Sequence, residues 1–144
     1  MDDTLEVLKA TGIKPTRVAY YTSPAWKWKV YLTALEKSRN KEAQPGDFMK
    51  TIMADTEIRR EGRAAADYAT KVFQQARQMR EDQRSARLKT GPVDESKTLV
   101  DAKDFYEREF RVKVDVWKQD DSRAYDPKGR ARLAEPYRPA IYIE

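Results

Sequence analysis

Residues 17–38 read RVAYYTSPAWKWKVYLTALEKS, and this stretch decides the fold. Arg17 to Thr22 follows Pro15 and is rich in β-branched and aromatic residues, which predicts a strand. Ser23-Pro24 is then a helix start, with Ser at the N-cap and Pro at the first helical position. The helix is predicted from Ala25 to Ser38. Trp28, Tyr31, Leu32 and Leu35 share one side of it, and Trp26 and Val30 widen that side. A strand running straight into an amphipathic helix implies a sheet with helices packed on it.

Upstream, Asp2 and Asp3 can cap a short helix that buries Leu5, Leu8 and Val7 and ends at Gly12. Downstream, Arg39 to Gly46 is a polar connector, and Asp47 can cap a short helix carrying Phe48, Met49, Ile52 and Met53. The longest helix is predicted over 57–88. Its stripe is Ile58, Ala65, Ala69, Val72, Ala76 and Met79, with Arg59, Arg63, Arg77 and Arg84 roughly opposite. Gly62 marks a weak point in it. Thr90-Gly91-Pro92 is a stop, and Asp94 and Glu95 suit the start of a helix with Leu99, Ala102, Tyr106 and Phe110 at steps of three and four. RVKVDVW at 111–117 alternates strictly and is the clearest half-buried strand. PAIYI at 139–143 is a final short one.

The order α-β-α-α-α-α-β-β predicts an α+β fold. It is a small mixed three-stranded sheet covered by about five helices, one of them long, in a single domain over 1–144. The strands at 17 and 111 are expected to be parallel neighbours joined by a right-handed crossover. The last two strands are expected to pair antiparallel across the Asp-rich loop.

Composition narrows the chemistry. The chain of 144 residues has 29 Lys+Arg against 24 Asp+Glu, a net charge of +5, no His and no Cys. Without His there is no ordinary neutral-pH general base, and without Cys no thiolate nucleophile, structural zinc site or disulfide. The five glycines form no phosphate loop. Asp120, Asp121 and Asp126 do not match a calcium loop, and a solvated acidic loop is the plain reading. A basic excess without catalytic groups points to a binding module whose leading partner is nucleic acid. No stretch approaches the roughly 18–20 apolar residues of a membrane span. MDDTLEVLKATG at the start has no signal-peptide pattern, which leads to the expectation of a cytoplasmic location.

Three basic tracts are candidates. Trp26-Lys27-Trp28-Lys29 interleaves stacking rings with bases. The alternative is a core with solvated lysines. Residues two apart on a helix point about 200° apart, so one tryptophan is expected to be partly exposed. The arginines of 57–88 form a basic rib or, because acids intersperse them, an ordinary exposed face. Lys128 to Arg132 (KGRAR) lies in a loop where it can reach a ligand.

Four tracts together resemble the C-terminal domain of archaeal/eukaryotic-type leucyl-tRNA synthetase. They are VAYYTSPAWKWKVY at 18–31, DFMKTIMADTEIRREGRAAADYATKV at 47–72, AKDFYEREFRVKVDV at 102–116 and RPAIYIE at 138–144. The resemblance implies a noncatalytic tRNA-recognition domain of an ATP- and Mg-using ligase, with no cofactor of its own. Its partners would be leucine tRNA, read at the long variable arm, and the remainder of the parent enzyme. It also implies contacts near the first helix, around Leu5, Glu6 and Lys9. The candidate RNA contacts are therefore Leu5, Glu6, Lys9, Lys14, Lys27, Lys29, Arg59, Arg63, Lys128, Arg130 and Arg132. Two alternatives stand beside this reading. One is a protein-docking module using the small-residue stripe of the long helix, and the other is a small enzyme working with carboxylates alone.

Overall fold

The computed structural model describes residues 16–144; the expected helix at 2–12 lies outside them. Strand β1 (Arg17–Thr22) is buried on both faces. Val18 and Tyr20 point one way, Ala19 and Tyr21 the other, so it needs neighbours on both edges and cover on both sides. It pairs in parallel with β2 (Lys113–Lys118), Val18 opposite Val114 and Tyr20 opposite Val116. It pairs antiparallel with β3 (Ala140–Ile143), Val18 opposite Ile143. The three-stranded mixed sheet of the α+β fold is as expected, but its order is β2-β1-β3. The last two strands therefore do not pair with each other. The doubly apolar β1 takes the centre, and β2, with Lys113 and Lys118 exposed, takes an edge.

The chain forms two compact units. The sheet unit comprises the described residues 16–24 with Asp94–Glu144. One face of its sheet gathers Val18, Tyr20, Val112 and Val114 with Leu99, Tyr106 and Phe110 of helix α6 (Glu95–Phe110). Asp94 caps that helix by accepting the Lys97 N–H at 3.0 Å, and Arg111 ends it in the left-handed conformation, φ 51°. The opposite face packs Ala19 and Tyr21 against Ala131, Ala134 and Ala140. Small residues there let a loop, rather than a helix, lie close on the sheet.

The helical unit, Ala25–Val93, contains α1 (Ala25–Lys37), α2 (Pro45–Met53), α3 (Thr56–Arg60), α4 (Arg63–Gln78) and α5 (Glu81–Thr90). The single helix expected over 57–88 is thus three. The first break is Gly62, at φ 56° and ψ −124°, a conformation essentially reserved for glycine. The second is Met79-Arg80, both extended. The core includes Val30, Ala34 and Leu35 of α1 with Ala65, Ala69, Val72 and Ala76 of α4, and Phe48 stacks on Phe73 at 4.8 Å. The small-residue stripe is inside this core. Trp26 and Trp28 are both buried, against the expectation that one would show. Trp26 meets Tyr68 edge-on and Trp28 meets Tyr31, because α1 is enclosed over a wide arc rather than one stripe.

Arg84 is another correction. It does not project outward but is buried. Its guanidinium donates to the carbonyls of Ala76 at 2.6 Å and Met79 at 3.1 Å, and to Glu81 at 2.5 Å. It closes the C-terminal end of α4, where carbonyls lack helical partners and cations are favoured.

A candidate nucleic-acid interface

The loop between β2 and β3 is built by two residues, Tyr125 and Asp126. The Tyr125 carbonyl accepts the buried Tyr21 hydroxyl, whose pKa burial pushes up to about 12. The Tyr125 ring lies under the Arg17 guanidinium at 3.7 Å, and its hydroxyl donates to Glu144 Oε1 at 2.7 Å. Arg17 is itself held by Asp115 at 2.7 Å. Tyr125 is thereby fastened to β1 and to the end of β3.

Asp126 shapes the segment after it. Its carboxylate accepts the Arg130 N–H at 2.7 Å and the Ala131 N–H at 3.1 Å, starting a 3-10 turn at Ala131–Leu133. This acid is spent on backbone bonds. Asp121 is similarly occupied: the N–H and guanidinium of Arg123 hold its carboxyl below the usual carboxylate range. From 128 to 138 the chain sorts cleanly. Ala131, Ala134 and Pro136 are buried, while Lys128, Arg130, Arg132, Leu133, Tyr137 and Arg138 are exposed. Three of the expected contacts, Lys128, Arg130 and Arg132, are thus brought together on one exposed run.

The other candidates fare differently. Leu5, Glu6, Lys9 and Lys14 lie outside the described residues. Lys27 is 5% exposed, its ammonium 5.6 Å from the rings of both Trp26 and Tyr68. It is a core cation and not a phosphate contact. Lys29 is exposed but engaged by Glu57 at 2.6 Å and Asp55 at 3.4 Å, and the bond to Glu57 raises its pKa. Arg63 is exposed on α4 with Asp67 one turn on, at 3.7 Å. Arg59 is exposed in the last turn of α3. Among the described residues no group of three acidic, imidazole or thiol side chains is placed to hold a metal ion. Among them, too, no helix is long and apolar enough to cross a membrane. The docking alternative required an exposed stripe on the long helix, and Ala65, Ala69, Val72 and Ala76 are buried.

Tyr137, Leu133 and Arg138 belong to the same exposed run and were not singled out by the sequence reading. Pro136 was the available signal, since Pro sets the second position of a β-turn.

Compared with known proteins, the whole chain is 32% identical over 144 residues to the leucine–tRNA ligase of Methanococcoides burtonii, and covers 15% of it. It is 33% identical over 145 residues to that of Methanosarcina barkeri, again covering 15%. Against Pyrococcus abyssi it is 32% identical over 145 residues and covers 13%. The chain therefore spans about 15% of the length of the curated relatives it matches. No family model matches it. These matches bear out the resemblance read from the four tracts.

Proposed function

We propose that this chain, homologous over its whole length to a segment of archaeal leucine–tRNA ligases, is a noncatalytic C-terminal tRNA-recognition domain of such an enzyme. It binds leucine tRNA at the long variable arm or corner and supports leucylation by the remainder of the parent enzyme, which supplies ATP and Mg chemistry. The observation that carries the RNA half of this reading is the exposed run at 128–138. Its four cations are exposed, Asp126 just before it is bonded to backbone N–H groups, and Glu135 is the one acid within it. An exposed run with four cations to one acid carries a positive field and suits a phosphate backbone. Phosphate contacts of this kind fix register, and unpaired bases supply discrimination.

The test is a titration of the chain with leucine tRNA and with a tRNA of short variable arm, each at two salt concentrations. Tighter binding of leucine tRNA is expected. With three or so phosphate contacts, the logarithm of affinity should fall with the logarithm of salt at a slope of about −2 to −3. Undetectable binding to both RNAs refutes the reading for this chain.

A further inference from the structure

Glu135, Pro136, Tyr137 and Arg138 form a tight turn closed on both sides. The Arg138 N–H donates to the Glu135 carbonyl at 2.8 Å, and the Glu135 N–H donates back to Arg138 at 3.0 Å. Pro136 fixes the second position near φ −65°, as both common turn types allow, and only one of them takes a positive φ at the third. Tyr137 occupies that third position at φ 65°. Glycine or asparagine normally takes such a place, because a Cβ meets the following carbonyl there. A bulky aromatic in this conformation is uncommon and is retained where surrounding structure enforces it. Two features enforce it here: Pro136 is buried, and the Glu95 carboxylate of α6 accepts the Tyr137 N–H at 3.2 Å.

The turn therefore carries its aromatic at a backbone cost, and the residue stays partly accessible. Tyr137 is 37% exposed, with Leu133 at 52% on the same run. It is followed by the exposed Arg138 and preceded by the exposed Arg130 and Arg132. A held, accessible ring next to Arg138 is suited to receive a nucleobase while the neighbouring charge meets its phosphate.

We propose that Tyr137 is a base-stacking residue for an unpaired nucleotide of RNA, with Arg138 contacting the adjacent phosphate. The inference rests on the tRNA-recognition reading and adds to it the substrate feature recognised: a single splayed base rather than a duplex.

The experiment uses the 144-residue chain, a leucine tRNA transcript and a blunt RNA duplex, with folding checked by circular dichroism. Tyr137→Asn suits the left-handed backbone but removes the ring, so stability should hold while leucine tRNA binding weakens about tenfold. Its salt slope should stay unchanged, since stacking releases no counterions. Duplex binding should also stay unchanged. Tyr137→Trp should bind leucine tRNA as tightly as the parent or more tightly. Arg138→Gln should flatten the salt slope by about one. If the parent chain binds leucine tRNA and Tyr137→Asn binds equally well, this inference falls and the domain reading stands. An equal loss on duplex and tRNA, or a loss shared by Tyr137→Trp, also overturns it. A parent chain that binds neither RNA takes down both.

Discussion

Replacing Arg84 with methionine tests whether the helical unit depends on a side chain closing the end of α4. Methionine keeps much of the apolar stem and removes all the donors. The Ala76 carbonyl then loses a bond of 2.6 Å but keeps the Met79 N–H at 3.2 Å, and the half-buried Met79 carbonyl loses one of 3.1 Å. A carbonyl left without its donor costs about 1–3 kcal/mol. Against this, the guanidinium no longer has to be desolvated, and its Nε, buried without a hydrogen-bond partner, is no longer a liability. The pair with the exposed Glu81 adds little either way. The net expectation is a loss of about 1–3 kcal/mol, sizeable beside the roughly 5–15 kcal/mol that holds a typical domain. With a urea dependence of about 2 kcal/mol per molar, the unfolding midpoint should drop by about 0.5–1.5 M. Trp26 and Trp28, buried in that unit, report the transition by fluorescence. Arg63→Met is the control, because its side chain is 93% exposed and meets only Asp67 at 3.7 Å. Arg84→Lys should recover less than half of the loss, since one ammonium does not reproduce the planar fork. An Arg84→Met midpoint no lower than that of the control refutes the reasoning.

Two further outcomes come from the backbone and from burial. Gly62→Ala should destabilise by about 1–3 kcal/mol in the same urea assay, although open space surrounds the site, because the cost is the φ of 56° itself; an unchanged midpoint would contradict it. Burial raises the Glu95 carboxyl pKa, with the Tyr137 N–H pulling it partly back. A carboxyl raised on folding favours the folded state below its unfolded pKa and loses that contribution as pH rises through the folded value. Glu95→Gln should therefore gain stability relative to the parent at about pH 7 and not at about pH 4. A gain confined to the acidic condition would reverse the sign of the argument.

Much of the fold was legible because period and turn chemistry agree. The strict alternation of 111–117 and the apolar run of 17–22 mark strands under any packing. Partner choice was less legible. Both later strands were apolar enough to pair with one another, and only the burial of β1 on both faces settles that it sits between them. The division of 57–88 was half visible. Gly62 was a recognisable weak point, but Met79-Arg80 carries neither Gly nor Pro, and its extended backbone goes with Arg84 folding back on the carbonyls of α4. That contact joins residues eight apart and leaves no local mark. The opposed directions expected of Trp26 and Trp28 did not expose either one, because that rule assumes one buried stripe, whereas α1 is covered on most sides. At the site, KGRAR could be found by composition. For Tyr137 the sequence offers only Pro136, which marks a turn but does not say that its third residue is left-handed.

The tally of 29 basic residues is thus a poor guide to where a polyanion would sit. In the helical unit the cations are largely consumed. Arg84 bonds carbonyls, Arg77 donates to the Ala43 carbonyl at 2.6 Å, Lys29 meets two acids, and Lys27 is enclosed by rings. In the sheet unit, residues 16–24 and 94–144, bases and acids balance at 12 each. Several of its acids are engaged, Asp115 by Arg17, Asp121 by Arg123, Asp126 by two backbone N–H groups. Lys128, Arg130 and Arg138 lie on the surface. The excess of bases lies in residues 25–93, with 15 Lys+Arg against 9 Asp+Glu, so net charge does not select the run at 128–138. What selects it under the proposed reading is that Asp126 and Tyr125 hold its cations in one shape, so that they need little ordering on contact.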